Sequence, residues 1–526
     1  MTTPRLSAET MIDTYDVHGN RTRANIGALF DYRYWQESEL GNLDAHYDAR
    51  YDARYDQRYA PLGYCGLQWN QSTDAYTRLG STVGVAIGSK PDDSLIPIQA
   101  GMKACVVDDL MRIKYFLDPT DWSKKANGDA SVLTGADGQV MVYVPLFYHR
   151  YSYASNVHTR EISLLPRSGF VPHRWFVEPD GTVVPYRLFP SFEGVLYDTS
   201  ESRYTNCIYL PAHSCEFVSG DKTITSARTH AFSLLAEGDL ITVSGTSNNN
   251  GTFTVAAGGT GDATITVEEA LTDETAANTV IETPKDFTAT TGDKLSSVAG
   301  FSPVNYLTRA NGRVLATNRG PLWTQQHAAS VHAIQLLILM EYGTFRSQSA
   351  IGNGLTGWLT ATWTAWNDQN PINATGLVTS NATANVSGGG GVVGSYMSYR
   401  GIENFFGHLW KWLDGLNVND NVPYLCFDKS KFADGTASSY LDPGITLPAS
   451  DGYQSTLFAI ADAFLPSAVG ASSSTKLADY YYQSSGWRVA RFGGGSNDDV
   501  LAGAFYLAVS SSVAGRDRFI SARLCS

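Results

Sequence analysis

Apolar and polar positions alternate along several short stretches of the chain, which predicts β-strands bounded by turns. After the turn sequence GADG at residues 135–138, Val140, Val142 and Val144 occupy every second position, as in a half-buried strand. Between residues 215 and 289 tryptophan and tyrosine are absent, threonine is frequent, and alternating runs flank the turn sequence NNNG. We interpret residues 215–289 as a small all-β module of β-sandwich or immunoglobulin-like type. Because an aromatic-rich sequence flanks it on both sides, we expect an insertion into one larger domain.

Two segments carry apolar residues at helical spacing. Residues 325–342 contain neither Gly nor Pro and include Val331, Ile334 and Leu337, which predicts a buried core helix. Residues 401–413 have apolar side chains three and four positions apart and predict a second helix. The apolar stretch 500–509 predicts a buried strand or strand pair whose flanking residues are exposed.

A tetrapeptide repeat, YDARYDARYDQRY, occupies residues 47–59 and places a tyrosine at every fourth position. As a helix the repeat drifts slowly around the axis, and as a strand it places tyrosines and charges on opposite faces; the sequence leaves both open. In either case one chain cannot bury the tyrosines, whereas lateral association of several copies can. We therefore predict that the repeat drives oligomerisation, with a solvated linker as the alternative. The residues concerned are Tyr47, Tyr51, Tyr55 and Tyr59.

Composition and charge exclude several classes of function. Of 526 residues only 17% are charged, while Gly (49), Tyr (29) and Phe (22) are abundant, which favours strands and loops over a helical bundle. The net charge of −13 repels phosphate backbones, so we expect no nucleic-acid partner. No apolar run is long enough to span a membrane, and the N-terminus lacks the pattern of a secretory signal.

The residues that hold metals or perform covalent chemistry show no clustering. Six cysteines occur without a CxxC pair or a Cys/His cluster, which predicts free thiols and no zinc site. No metalloprotease, nucleophile-elbow, phosphate-loop or calcium-loop motif occurs. We expect no catalytic residue, no metal and no cofactor.

Three segments of the second half follow one another in a recognisable order. They are residues 341–354 (EYGTFRSQSAIGNG), residues 401–415 (GIENFFGHLWKWLDG), and residues 487–496 (WRVARFGGGS) followed by 516–524 (RDRFISARL). Together they resemble the C-type-lectin-like fold of the formylglycine-generating-enzyme type. Segments of the first half, including YFLDPTDW at 115–122 and FPSFEG at 189–194, look like the leading part of phage tail proteins that carry this domain.

The resemblance implies an α+β architecture and a division of the chain into four segments. Residues 1–61 are expected to form an N-terminal shaft for tail attachment and trimerisation. Residues 62–214 and 290–526 are expected to form the two parts of a C-type-lectin-like head, separated by the module at 215–289. Arg523 resembles the last Arg of the closing motif, and we expect its guanidinium to be buried or half-buried and to tie the end strand to neighbouring carbonyls or carboxylates.

The resemblance also implies a function. It is closest to receptor-binding proteins of phage tails whose C-terminal region is varied by diversity-generating retroelements, such as the major tropism determinant. The chain is then a homotrimeric virion protein of the tail, made in the host cytoplasm, that joins other tail or baseplate proteins through its N-terminus and binds a protein or glycan receptor on the bacterial surface. The reactive cysteine pair of the formylglycine-generating enzymes and the calcium-dependent sugar motif of true C-type lectins are both missing.

Receptor contacts are expected near the C-terminus, where aromatic residues give rigid contact area and polar residues give adaptable hydrogen bonds. Tyr506 is also compatible with packing in the core, and of Tyr480, Tyr481 and Tyr482 at most one is expected to reach a ligand. The candidate receptor-binding residues are Phe492, Asn497, Asp498, Asp499, Tyr506, Leu507, Val509, Ser511, Arg516 and Asp517.

Two other functions remain open at the level of sequence. A tail-associated polysaccharide-degrading enzyme needs two carboxylates on either side of a sugar, and the 51 acidic residues do not exclude such a pair. A purely structural tail or baseplate component, without a receptor, is the other alternative.

Overall fold

The computed structural model describes residues 11–15, 21–25, 63–357, 372–386 and 394–526. The chain divides into two units, Met1–Pro61 and Leu62–Ser526. In the first unit, strands β1 (Met11–Tyr15) and β2 (Arg21–Asn25) pair antiparallel. The four tyrosines of the repeat lie outside the described residues.

Among the described residues 36% lie in strands and 10% in helices, which is compatible with an α+β or β-rich class. In the first part of the second unit, a five-stranded sheet has the order β10-β8-β9-β3-β4 and a four-stranded sheet has the order β11-β7-β5-β6. The strands of these sheets are β3 (Cys65–Asn70), β4 (Ala75–Gly80), β5 (Lys103–Val107), β6 (Ile113–Phe116), β7 (Gln139–Pro145), β8 (Tyr148–Ala154), β9 (Val157–Ser163), β10 (Val171–Pro172) and β11 (Tyr186–Pro190).

In the described part of the chain, three further sheets and one pair of strands belong to the second unit, in addition to its C-terminal sheet. A three-stranded sheet has the order β13-β12-β20, a six-stranded sheet the order β17-β16-β19-β14-β15-β18, a pair joins β21 to β33, and another three-stranded sheet has the order β22-β23-β24. Their strands are β12 (Val195–Asp198), β13 (Arg203–Thr205), β14 (Tyr209–Val218), β15 (Thr223–Ser226), β16 (Leu240–Ser244), β17 (Gly251–Thr254), β18 (Thr264–Thr266), β19 (Glu274–Glu282), β20 (Lys294–Ser296), β21 (Thr324–Gln325), β22 (Ala384–Val386), β23 (Tyr396–Tyr399), β24 (Ile402–Glu403) and β33 (Leu524–Cys525).

The C-terminal part of the chain forms an eight-stranded sheet with the order β26-β25-β30-β31-β29-β27-β28, in which β32 pairs parallel with β25. Its strands are β25 (Trp410–Asn419), β26 (Val422–Leu425), β27 (Gly452–Leu457), β28 (Pro466–Val469), β29 (Tyr480–Gln483), β30 (Trp487–Phe492), β31 (Leu507–Ser511) and β32 (Ile520–Ser521). The helices of the described residues are α1 (Pro97–Ala100), α2 (Arg309–Thr317), α3 (Ala328–Tyr342) and α4 (Ser347–Ile351).

Helix α3 lies at the centre of the head and is buried along its whole length. The predicted core helix is thus confirmed, although it begins at Ala328 because Thr324 and Gln325 pair in β21 with the C-terminal strand. It ends at Gly343, whose φ of 67° is the left-handed conformation that stops a helix. Residues from both sides of the β module pack against α3 in one core, among them Trp69 and Phe189 from the first part and Phe405 and Phe492 from the second.

The six-stranded sheet has its own core and curls on itself. Its outer strands β17 and β18 meet through the bridge between Val255 and Val267, so the strands surround one apolar interior that includes Phe217, Ile241 and Ile281. This arrangement corrects the predicted sandwich, because a sandwich needs two separate facing sheets. The sheet also starts earlier than residue 215, since β14 begins at Tyr209.

The chain enters and leaves this barrel at adjacent points. The backbone N–H of Thr283 donates to the carbonyl of Ile208 at 3.1 Å, and the N–H of Ile208 donates to the Thr283 hydroxyl at 3.0 Å. Strand β12 pairs with β13 before the barrel and with β20 after it. The barrel is therefore an insertion between neighbouring strands of the head.

The predicted helix at 401–413 is wrong. The structure places strand β24 at Ile402–Glu403 and begins the long strand β25 at Trp410. Between them Asn404, Gly407 and His408 have φ of 48°, 75° and 59°, which a right-handed helix cannot contain. The apolar residues of the segment are buried on all sides, so their spacing does not report a helical face.

Two strand predictions also need correction. Strand β7 carries Val140, Val142 and Val144, but Met141 between them is equally buried, so the strand is covered on both faces rather than half-buried. Within 500–509 a strand forms only from Leu507, because residues Asp499–Leu501 make a short 3-10 turn.

Candidate binding surface

The C-terminal motif forms the middle of the eight-stranded sheet, and its strands divide residues between two faces. Phe492 of β30 lies opposite Leu507 of β31, which lies opposite Tyr481 of β29. This row belongs to the central core. Because side chains alternate along a strand, the next row, Arg491, Ala508 and Tyr482, lies on the other face, which we call the outer face.

Aromatic rings line the outer face in a continuous series of edge-on contacts. Trp410 and Tyr506 have ring centroids 4.5 Å apart, Tyr506 and Tyr480 6.0 Å, and Tyr480 and Tyr453 5.2 Å. Trp410 and Tyr506 are buried, Tyr480 and Tyr453 are half-buried, and Tyr482 is 42% exposed. The result is a buried aromatic floor with tyrosines at its accessible rim.

Arg491 lies at the centre of this face. Its guanidinium carbon is 4.4 Å from the centroid of the Trp410 ring, and its Nε has no hydrogen-bond partner among the described residues. Burial lowers the pKa of the guanidinium, and the nearby acidic groups of Asp498 and Asp517 oppose that shift. Arg491 is thus a fixed donor on an aromatic support.

Asp498 supplies the acceptor beside Arg491. A tight turn brings it there, since Gly493 and Gly494 have φ of 88° and 77°, and a Cβ on Gly494 would come within 2.7 Å of Ala502. The N–H of Gly495 donates to the Asp498 carboxylate at 2.6 Å. Burial raises the pKa of Asp498 to about 6, against the opposing effects of the Gly495 hydrogen bond and Arg491. The carboxyl therefore changes charge not far below neutral pH.

The remaining predicted residues lie around this centre. Asn497 and Asp499 are half-buried in the turn after β30, where the N–H of Asp499 donates to the carbonyl of Thr356 at 2.8 Å. Ser511 is half-buried at the end of β31. Asp517 is half-buried and accepts a hydrogen bond from the N–H of Phe519 at 3.1 Å. Arg516 is exposed and its guanidinium lies 4.5 Å from the centroid of the Tyr306 ring.

Four predicted contact residues are wrong as receptor-facing side chains, because all four are buried. Phe492, Leu507 and Val509 point to the inner face and belong to the core around α3, with exposures of 1%, 5% and 0%. Tyr506 points to the outer face but lies under Trp410 and Tyr480 and is 4% exposed. Strands β30 and β31 are central in the sheet, and these four side chains are covered by the neighbouring strands and by the packing on either face.

Arg491, Tyr453 and Trp410 are parts of the surface that were not predicted from the sequence, although a signal was present for Trp410. In a strand, residues two apart share a face, so the spacing of Trp410 and Trp412 and that of Tyr480 and Tyr482 each place two aromatic residues together. In the predicted helix at 401–413 the two tryptophans would lie on different faces, whereas in strand β25 both lie under the outer face.

A buried polar cluster supports the motif at 401–415 from beneath. His408 bonds through Nδ1 to the carboxylate of Glu193, and its Nε2 accepts from the N–H of Asn373 at 2.8 Å. The proton of the ring is therefore on Nδ1. Lys411 lies 3.3 Å from the second oxygen of Glu193, and burial lowers the lysine pKa to about 7. These contacts join residue 193 of the first part of the head to the second part.

Arg523 ties the last strand to the same region, as predicted. It is fully buried, and it donates to the carbonyls of Glu403, Asn404 and Pro190, the last two at 2.9 and 3.4 Å. The N- and C-terminal parts of the head are thus held together beneath the candidate surface.

The groups that hold metals or react covalently do not assemble in the described part of the chain. No group of three or more metal-ligating side chains occurs among those residues. All six cysteines are buried and unpaired, and burial raises the pKa of Cys65, Cys105 and Cys207 to about 12, which keeps these thiols protonated. No helix in the described segments has the length and apolar character required to cross a membrane.

Comparison of the sequence with protein-family models and with curated proteins gives no match.

Proposed function

We propose that this chain is a receptor-binding protein of a bacteriophage tail, and that the outer face of its C-terminal sheet contacts a receptor on the bacterial surface. The observation that carries the proposal is the half-exposed face on which Arg491 and Asp498 stand among Tyr453, Tyr480 and Tyr482. Tyrosine and arginine are the residues that dominate recognition surfaces, because they bring large contact area and donors at low entropic cost.

The geometry of this face suits a ligand that is both a donor and an acceptor. Arg491 offers N–H donors that are held in place by Trp410, and Asp498 offers carboxylate oxygens held by Gly495. A rigid support reduces the entropy lost on binding, which is how a small polar centre contributes to affinity.

We further propose a C-type-lectin-like head for residues 62–526. Its support is the order of the three sequence motifs together with the common core that both parts of the head build around α3. In this proposal the N-terminal 61 residues attach the protein to the tail of the virion and form a trimer through the tyrosine repeat. Several weak sites on one particle then act together, so that avidity replaces tight single contacts.

Retroelement diversification of residues 487–524 is part of the same proposal. The stretch contains both the fixed core row and the accessible positions Asn497, Asp499, Ser511 and Arg516, which can change without altering the core. Genome sequencing around the gene tests it: a reverse-transcriptase gene and a near-copy of this stretch that differs mainly at adenines are expected. If both are missing, the diversification proposal is wrong while receptor binding remains testable.

Competition for adsorption tests the proposed function. Purified protein added in excess is expected to prevent the phage that encodes it from adsorbing to its host cells, because the protein occupies the receptor. Heat-unfolded protein is the control. Adsorption that continues unchanged in the presence of excess folded protein contradicts the proposal and favours a structural role in the tail.

A further inference from the structure

A concave site that shares no residue with the outer face lies between the first and second parts of the head. It is a cleft of about 410 Å³ between β8, the segment around β10 and the loop that follows β27. Its volume is within the range of small-molecule sites. The residues that line it include His149, Arg150, Tyr151, Val171, Arg174 and Asp462.

Arg174 brings to this cleft a positive charge that forms no ion pair among the described residues. Its half-buried guanidinium lies 5.4 Å from the Phe427 ring, and within the described residues no carboxylate forms an ion pair with it. Arg150 beside it differs, since Glu161 accepts two hydrogen bonds from it at 2.6 and 2.8 Å. In a chain with a net charge of −13, a half-buried arginine without a carboxylate is a site for an anionic group of a ligand.

Tyr151 lines this cleft, and the hydrogen bonds of its hydroxyl leave it only the role of an acceptor towards a ligand. The N–H of Leu457 donates to Gln71 Oε1 at 3.0 Å, so His158 Nε2, also 3.0 Å from this oxygen, carries the proton. His158 Nδ1 is then an acceptor, and the Tyr151 hydroxyl donates to it at 2.9 Å. Only lone pairs of the Tyr151 oxygen remain for a ligand.

Asp462 is a second acceptor at the same cleft. Its side chain is 35% exposed, and its carboxylate lies 3.4 Å from His149 Nε2, which is longer than a good hydrogen bond. A ligand must therefore offer hydroxyl donors to Tyr151 and Asp462 and an anion to Arg174. The apolar side chains of Val171 and Val177 leave room for C–H groups.

We propose that this cleft binds a monosaccharide that carries an anionic group, with the anion on Arg174 and ring hydroxyls on Asp462 and Tyr151. The anion is a carboxylate or a phosphate ester, since both accept from a guanidinium in the same geometry. The inference does not depend on receptor binding at the outer face, because the two sites are separate.

Calorimetric titration of the full chain with glucuronate, glucose 6-phosphate and glucose tests the proposal. We expect at least one of the two acidic sugars to bind, and glucose to bind at least about tenfold more weakly, because one charged hydrogen bond accounts for that ratio. The stronger of the two acidic sugars identifies the anion. Arg174→Gln is expected to weaken the acidic sugar at least about tenfold, and Asp462→Asn to weaken all three.

Arg112→Gln is the matched control, since it removes the same charge from a side chain that is 73% exposed and remote from the lining residues. Thermal unfolding of each variant establishes that it is folded. The proposal is overturned if folded Arg174→Gln binds the acidic sugar as the parent does, if glucose binds equally well, or if none of the three binds up to about 10 mM.

Discussion

Asp498 lies at the candidate surface, and ionisation of its carboxyl in the folded protein lowers the free energy of unfolding. Burial raises the pKa of its carboxyl to about 6, against about 3.9 in an unfolded chain. The unfolded state therefore releases this proton more readily, and ionisation favours unfolding. The stabilising effect of the protonated form is complete below about pH 4 and is lost as the pH rises through about 6.

The substitution Asp498→Asn is expected to remove this loss of stability at high pH, because the asparagine side chain does not ionise. Above about pH 7 the free energy of unfolding should rise by about 2 to 3 kcal/mol, while at about pH 4 the parent and the variant should be equal. Urea unfolding at the two pH values measures the difference. Asp499→Asn, one residue away, is the control, and an increase of equal size at both pH values contradicts the assignment.

Arg523 has a structural role, since it is fully buried and donates hydrogen bonds to three carbonyls from two segments. Arg523→Met leaves those carbonyls without donors and removes a positive charge near Glu193 and Glu403. We expect the free energy of unfolding to fall by about 3 to 5 kcal/mol.

The exposed Arg516 provides the comparison for this experiment. Arg516→Met should change the stability by no more than about 0.5 kcal/mol. Urea unfolding of both variants gives the two values, and a similar small loss in each shows that Arg523 does not hold the last strand in place.

Helices and strands are predicted best from the sequence where many consecutive residues share one environment, such as complete burial or one buried face. Helix α3 is rich in apolar residues and contains no Gly or Pro, so its existence and its burial follow from composition, although its first residue does not. The strands of the barrel are predicted equally well from their alternating apolar and polar residues, because one face of each strand lines a single apolar interior.

Prediction fails where residues are buried on all sides or the backbone turns at ordinary residues. The segment at 401–413 has helical spacing by coincidence, and the left-handed conformations of Asn404 and His408 are only weakly indicated by their residue types. Leu507 and Val509 look like ends of an exposed strand until β29 and β30 are known to flank β31. The outer face depends on such long-range pairing, so the places of Arg491 and Tyr453 on it could not be anticipated.

The barrel should be removable, because its ends meet at Ile208 and Thr283 and its core is separate. We expect a variant in which residues 209–282 are replaced by a short Gly-Ser linker to remain folded and to bind cells as the parent does. The separate fragment 207–284 should unfold cooperatively by itself. Calorimetry and a cell-binding assay test these outcomes, and loss of a folded head on removal shows that the barrel is part of its core.

For the whole molecule, the tyrosine repeat predicts association. The full-length protein should have three times the monomer mass of 57.1 kDa in light scattering, and a variant that lacks residues 1–60 should be monomeric. Replacing Tyr47, Tyr51, Tyr55 and Tyr59 by serine should weaken the trimer while the head stays folded. If the full-length protein is monomeric and stays monomeric when residues 1–60 are deleted, the predicted trimer is wrong.

The central claim is that the outer face of the C-terminal sheet binds a bacterial receptor, and the binding of labelled protein to host cells tests it most directly. Tyr482→Ala and Arg491→Gln remove the most accessible ring and the central donor of that face. Tyr153→Ala is the matched control, since Tyr153 is 39% exposed against 42% for Tyr482. We expect the two outer-face variants to bind at least about tenfold more weakly and the control to bind as the parent does. Equal binding by the parent and the folded outer-face variants contradicts the claim.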